Sequence, residues 1–374
     1  MKYKRRKTRS EVRSDKNVWD LSLERIRHIY DLFDNVVVSF SGGKDSTVVL
    51  NTTLEVARER GALPLDVLFY DEEVCTSDTI DYVRRVSMMD DVNMIWLTVP
   101  IMHRNACSTR EPYWYPWAPE SKDLWVRDLP PEAITTTKNF KRTTIAEHSP
   151  DYLADKYEGT VAVSLGIRAD ESLIRRRGVS NRLEDNYISV TSNPVVSNVK
   201  PIYDWGVSDV WTAPRKYGWD YNKTYDLMDK LGISPASQRV APPFGEQPMV
   251  SLWMWAQLEP ELWDKMIDRV AGASAAARYA QTQIYGVGGK RKPPRGMNWE
   301  EGIAYYLAKH PPNIQTWASR RIKGFIKVHF NETNDPIPEY GSHPETGLSW
   351  SLLLKTAMQG DLKKRTDPRM RVNK

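Results

Sequence analysis

Residues 36–46 read Val36-Val37-Val38-Ser39-Phe40-Ser41-Gly42-Gly43-Lys44-Asp45-Ser46, and their reading decides the fold. The β-branched run Val36–Val38 predicts a strand buried on both faces, as in a parallel sheet. The run gives way to two glycines and small hydroxyl residues. An apolar-periodic helix follows, carried by Val48, Val49, Leu50, Leu54, Val56 and Ala57. Strand, glycine turn and helix together aim successive backbone N–H groups at an anion. Gly42 and Gly43 allow close approach of the backbone. Ser39, Ser41 and Ser46 bring hydroxyl donors, and Lys44 brings a point charge. Asp45 falls near the helix N-terminus, where the helix dipole favours a carboxylate.

Outward from this stretch, 19–33 has the spacing of an amphipathic helix. Leu65–Tyr70 predicts a second strand ending at Asp71, Glu72 and Glu73, then a helix over 79–89 and a third strand over 93–99. This alternation predicts an α/β fold: a doubly wound, mostly parallel sheet with ligands at the carboxyl ends of its strands. Residues 104–150 break the pattern with Tyr113, Trp114, Tyr115, Trp117 and Trp125 among prolines. A long insertion of this kind is expected to be a lid, binding loop or interface, and its aromatic rings are candidates for stacking a base. Residues 160–165 restore a strand that leads into Gly166-Ile167-Arg168-Ala169-Asp170-Glu171-Ser172, so Arg168 is expected at the same sheet edge as the glycine loop. A guanidinium there can take a phosphate or sulfate bidentately. Beyond 235 the pattern becomes helical, at 249–270, 299–309 and 314–330. The expected organisation is a basic tail over 1–16, a nucleotide-binding domain over 17–234 and a helical C-terminal domain over 235–374.

Ser41-Gly42-Gly43-Lys44-Asp45-Ser46 after a buried strand resembles the PP-loop of the adenine nucleotide α-hydrolase superfamily, with its Rossmann-like fold. That superfamily includes ATP pyrophosphatases and phosphoadenosine phosphosulfate (PAPS) reductases. Gly166–Ser172 is similar to the reductases' Gly-x-Arg-x-x-Glu-Ser. Pro201-Ile202-Tyr203-Asp204-Trp205 with Asp209-Val210-Trp211 resembles a further family segment, and so does Tyr221-Asn222 with Tyr225. The four motifs stand in the family's order over roughly residues 30–230. The resemblance implies an adenine nucleotide, ATP or a PAPS-like one, bound by Ser39, Ser41, Gly42, Gly43, Lys44, Asp45, Ser46, Gly166, Arg168, Glu171 and Ser172. Lys44, Asp45 and Arg168 are the catalytic candidates. Asp204, Asp209 and the tryptophans Trp205 and Trp211 also have a plain structural reading as caps and core.

Two departures shift the expected chemistry. The reductases use a nucleophilic cysteine in a C-terminal Glu-Cys-Gly-type segment, and this chain has only Cys75 and Cys107, both expected to be bystanders. Where reductases carry Asp-Thr-Gly, Asp71-Glu72-Glu73 stands. Extra carboxylates beside phosphates suit Mg²⁺, which makes Asp45, Asp71 and Glu72 the candidate ligands. The acidic turn, the Tyr113–Trp117 insertion and the missing cysteine resemble phage and prophage proteins of the immunoglobulin-binding regulator A type. That resemblance implies a ParB-like partner protein. The expected activity is cleavage of ATP at the α-phosphate with adenylyl transfer. The alternatives are a non-catalytic nucleotide-sensing regulator and a sulfonucleotide reductase.

Composition bounds these readings. The 374 residues can bury a sizeable core, and two cysteines exclude a disulfide framework. No apolar run predicts a membrane span or a secretory signal, so a cytoplasmic protein with no membrane partner is expected. The net charge of +5 is concentrated at both ends, in Lys290–Arg295 and in Arg320, Arg321, Lys323 and Lys327. Basic ends on a near-neutral body suggest contact with DNA or RNA. The histidines show no zinc-site spacing.

Overall fold

The computed structural model describes residues 16–180, 185–235, 237–246, 248–279, 291–360 and 368. Most of the basic N-terminal and C-terminal stretches lie outside these residues. Two compact units form from interleaved segments. The first takes 1–103, 115–243 and 254–269, and the second takes 104–114, 244–253 and 270–374. The second unit thus takes residues 104–114 of the aromatic insertion, and the first keeps 254–269.

The first unit is built on a six-stranded sheet in the order β3-β2-β1-β6-β8-β7. Its strands are β1 (Asn35–Ser39), β2 (Leu65–Tyr70), β3 (Val92–Leu97), β6 (Val161–Leu165), β7 (Ile188–Val190) and β8 (Val196–Val199). All neighbours run parallel except β7, which pairs antiparallel with β8. The α/β class and mostly parallel sheet match the sequence reading, while β7 and β8 are additions to it. The short strands β4 (His103–Arg104) and β5 (Tyr113–Trp114) pair only with each other.

The alternation of β1 divides the core between two layers. Val38 packs with Val48 and Val49 of α2 (Lys44–Arg60), Val83 of α3 (Ser77–Ser87) and Val210 of α6 (Val207–Tyr217). Val37 points the other way, to Leu68, Ile95 and Leu153 of α4 (Ile145–Lys156). Helix α1 (Val18–Leu32) sets Ile26 against Val56 of α2, and Ile29 against Ala162 and Val199. Smaller helices complete the unit: α5 (Leu173–Ser180), α7 (Thr224–Lys230), α8 (Trp255–Leu258) and α9 (Pro260–Arg269).

The winding of the sheet fixes where a ligand fits. From β1 the chain moves outward to β2 and β3, then returns to lay β6 on the opposite side of β1. The crevice between β1 and β6 is therefore the topological switch point, the place where open α/β sheets bind ligands. Ser39 pairs with Leu165, which brings the ends of both strands to one edge.

The second unit is helical: α10 (Ala273–Tyr279), α11 (Trp299–Leu307), α12 (Pro312–Glu332) and α13 (Trp350–Gln359). Its core joins Ile303 and Leu307 to Ala318, Ile322, Leu352, Leu353, Leu354 and Ala357. Ser349 caps α13 by accepting the Leu352 N–H. Among the described residues no helix is long and apolar enough to cross a membrane.

Candidate nucleotide site

The glycine loop joins β1 to α2 at the switch point. Gly42 has φ +67°, where L side chains are strained, and a Cβ there would stand 3.0 Å from the Thr79 methyl. Gly43 is the N-cap of α2. The Ser46 hydroxyl donates to Gly43 O at 2.9 Å and accepts the Ser41 and Gly43 N–H groups, each at 3.2 Å. Ser46 thus staples the loop, a role different from the free phosphate donor expected of it. Ser39 closes β1 at the mouth of the crevice.

Gly166 follows β6 directly, and a Cβ there would fall 2.8 Å from Asp45 C and Ser46 N. Only glycine lets the end of β6 touch the first turn of α2. This contact delivers Arg168, whose Nε donates to Asp45 Oδ1 at 2.6 Å. Lys44 Nζ stands 3.4 Å from Asp45 Oδ2 and donates to Gln238 O at 3.0 Å. Burial pushes the Lys44 ammonium below its ordinary pKa, and the Asp45 carboxylate opposes that shift. Arg168 is 2% exposed, and its buried Nη1 has no hydrogen-bond partner among the described residues. The three expected catalytic side chains therefore meet in one place.

A second layer holds the loop from outside. The Tyr225 hydroxyl accepts the Lys44 amide N–H at 2.9 Å, and its ring lies 5.5 Å from Lys44 Nζ. Asn222 Nδ2 donates to Gly42 O at 3.0 Å and to Thr79 Oγ1 at 2.8 Å. The Tyr-Asn-x-x-Tyr motif was visible in the sequence, but its grip on the loop was not. Gln238 carried no sequence signal.

Glu171 and Ser172 sit further along. Glu171 pairs with Arg175, and Ser172 Oγ accepts the Arg175 N–H at 3.2 Å at the start of α5. Both serve this helix turn. The structural reading holds for the next motif: Asp204 forks with Arg25 at 2.8 and 2.6 Å, Trp205 is buried, and the Asp209 carboxylate caps α6 through Gly206 N–H. Trp211 is only partly buried, edge-on to Tyr225.

The acidic turn departs from its expected use. The Asp71 carboxylate is buried and accepts from Trp96 Nε1 at 2.9 Å, Trp117 Nε1 at 3.1 Å and Arg127. Glu73, with φ +62°, accepts from Arg269 at 2.9 and 3.1 Å and from the Trp117 N–H at 2.7 Å. Glu72 lies 3.2 Å from His103 Nε2. With its oxygens engaged this way, Asp71 is a wall residue here, and among the described residues no group of three or more His, Cys, Asp or Glu side chains is placed to hold a metal. The same web corrects the aromatic insertion. Trp117 is buried against the acidic turn, Trp125 Nε1 donates to Ala118 O at 3.1 Å, and Trp114 is buried edge-on to Phe244. These tryptophans are packing, not an open stacking platform. Cys75 and Cys107 are buried, and burial pushes both thiols up to about 12.

The same segments carry a sequence match: residues 35–232 fit the phosphoadenosine phosphosulfate reductase domain. The chain belongs to this family. The reductase-domain match ends where a second begins, a domain of unknown function (DUF3440) over residues 232–334. This PAPS-reductase-domain protein is 31% identical over 369 residues to the uncharacterized protein YbdN of Escherichia coli K12, covering 92% of this chain and 88% of YbdN. It is 26% identical over 256 residues to the uncharacterized protein MJ0973 of Methanocaldococcus jannaschii, covering 66% of this chain but only 51% of the archaeal protein. Among solved structures, Candida glabrata FMN adenylyltransferase aligns with 56% of this chain and 57% of its own, at 14% identity and a TM-score of 0.37. The PAPS reductase of Candida auris aligns with 55% of this chain and 84% of its own, at 15% identity and a TM-score of 0.33.

Proposed function

We propose that this chain binds ATP across the β1/β6 crevice and cleaves it at the α-phosphate, releasing pyrophosphate and transferring the adenylyl group. The observation that carries the reading is Arg168: a buried guanidinium held by Asp45 beside Lys44, with Nη1 lacking a partner among the described residues. A buried cationic donor left unsatisfied is costly, and a phosphate oxygen in the crevice would satisfy it. Lys44 and the amides at the start of α2 would hold the β and γ phosphates. An oxygen or nitrogen of the acceptor attacks the α-phosphorus, the bond to the bridging oxygen breaks, and the bonding pair leaves on pyrophosphate. The acceptor's proton passes to solvent. Arg168 stabilises the charge that develops on the phosphoryl oxygens.

Mg²⁺ would enter with the nucleotide, held by phosphate oxygens and water. Asp45 is the one expected carboxylate beside the loop, and it is already shared by Lys44 and Arg168. The acceptor would be a group on a nucleic acid or on a partner protein.

Incubation with α-labelled ATP and Mg²⁺, alone and then with RNA, DNA or cell extract, tests the reading. AMP with pyrophosphate, or a labelled macromolecule, supports it, and Lys44→Ala should abolish either product. ATP bound but intact under every condition would favour the nucleotide-sensing regulator acting with DNA and a ParB-like protein. Sulfite released from PAPS with thioredoxin would favour a reductase, against which the two buried, high-pKa thiols count.

A further inference from the structure

In the second unit, an open groove of about 620 Å³ runs between α11 and α12. Its walls include Leu307 of α11 and Gln315, Thr316, Ser319, Arg320 and Lys323 of α12. One stripe of α12 continues beyond it. Thr316, Arg320, Lys323, Lys327 and Phe330 follow at steps of four, three, four and three residues, and all five are exposed. Residues at these steps share a helix face. The stripe carries three cations, and the sole acidic residue of the 21-residue helix is its last, Glu332. Arg320, Lys323 and Lys327 make no ion pair with a described residue.

Gly324 lies on the same face, inside the helix, and a Cβ there would meet nothing within 4 Å. Glycine weakens a helix interior relative to alanine, and among the described residues no neighbour requires it here. A partner approaching the helix backbone would.

The neutral side chains narrow the partner. The Thr316 hydroxyl gives its proton to Pro312 O at 2.9 Å, so its oxygen is left as an acceptor. Gln315 turns one amide N–H to Leu307 O at 3.3 Å, which leaves its second N–H as a donor for a phosphate and Oε1 as an acceptor. Phosphates and deoxyribose have no proton to offer them, whereas a ribose 2′-hydroxyl has. Cations for phosphates, acceptors for 2′-hydroxyls and an exposed ring at the end of the stripe fit one class of molecule.

We infer that the α11–α12 groove and the α12 stripe bind the backbone of single-stranded RNA. The inference stands apart from the nucleotide reading, because it uses none of the residues at the glycine loop. Fluorescence anisotropy of the full chain with a labelled oligouridylate of about 20 nucleotides tests it. Affinity should fall steeply as salt rises from about 50 to about 200 mM. The pair Arg320→Gln and Lys323→Gln should bind about tenfold more weakly, with a salt slope shallower by about 1.4, at about 0.7 per lost single-strand contact. Gly324→Leu should also bind about tenfold more weakly while its melting temperature holds or rises, which separates blocked approach from misfolding. Lys44→Ala should bind RNA as the wild type does. Variants that bind as tightly as wild type would overturn the inference. So would equal affinity for oligodeoxythymidylate, or retention on phosphatidylglycerol vesicles without RNA binding.

Discussion

Tyr225 and Lys44 meet across 181 residues of sequence, where the buried tyrosine hydroxyl accepts the lysine amide N–H at 2.9 Å. The contact occupies a helix N-terminal donor, the kind of group that phosphate sites use. It also ties the C-terminal end of the reductase domain to its first loop. Tyr225 is buried, and burial holds its hydroxyl protonated well above the ordinary phenol range.

Tyr225→Phe removes that acceptor and leaves a buried amide unpaired, at a cost of about 1–3 kcal/mol. Without nucleotide the variant should melt below the wild type. ATP restores a partner to the amide, so the rise in melting temperature on adding ATP should be larger in the variant. Equal rises in both proteins would show that the ligand leaves this amide alone.

Asp71→Asn distinguishes a wall residue from a metal ligand. The substitution takes the charge from a carboxylate that faces the mostly buried Arg127. Breaking a buried pair on one side costs about 3–5 kcal/mol, which urea denaturation would register, while the Mg²⁺ dependence of ATP binding should not move. Unchanged stability with a raised Mg²⁺ requirement would return Asp71 to the metal.

His310 should make the second unit sensitive to acid. Its Nε2–H donates to Ala357 O at 2.6 Å, so in the neutral ring Nδ1 accepts the Tyr113 hydroxyl at 2.8 Å. Burial lowers its pKa below the ordinary 6.5, and His148 is lowered for the same reason. As pH falls through 6.5 the unfolded chain takes up protons that the folded chain refuses, so stability is lost from there down to the folded-state pKa values. Denaturation from about pH 7.5 to about pH 5 should show that loss. His310→Gln should make the slope shallower, and an unchanged slope would count against the assignment.

The parts of this molecule that sequence reveals are those whose cause is local. The Val36–Val38 run, the glycine pair and the periodic helix after them identify β1, the loop and α2, and Gly166 with Arg168 identifies the opposite wall. Strands β7 and β8 escape such reading because they are three and four residues long and mix Ser and Asn with valine. Helix α4 is hidden by Pro150 in its middle, and α13 by its three consecutive leucines, Leu352–Leu354, which read equally as a short buried strand. The acidic turn misleads for a different reason. Its carboxylates sit where metal ligands would be expected, but the cations that claim them, Arg127 and Arg269, lie 56 and 196 residues away. Nothing in the spacing announces those partners.

The interleaving of the two units has a practical side. The polypeptide passes from one unit to the other five times, at 103/104, 114/115, 243/244, 253/254 and 269/270. No single cleavage or truncation point can separate them, and the helical unit cannot be transplanted as one contiguous cassette. During synthesis, residues 104–114 leave the ribosome well before the helices of their own unit exist. Truncated chains that stop near residue 235 would therefore leave segment 104–114 without its apolar neighbours, and insolubility of such fragments would say nothing about the intact chain.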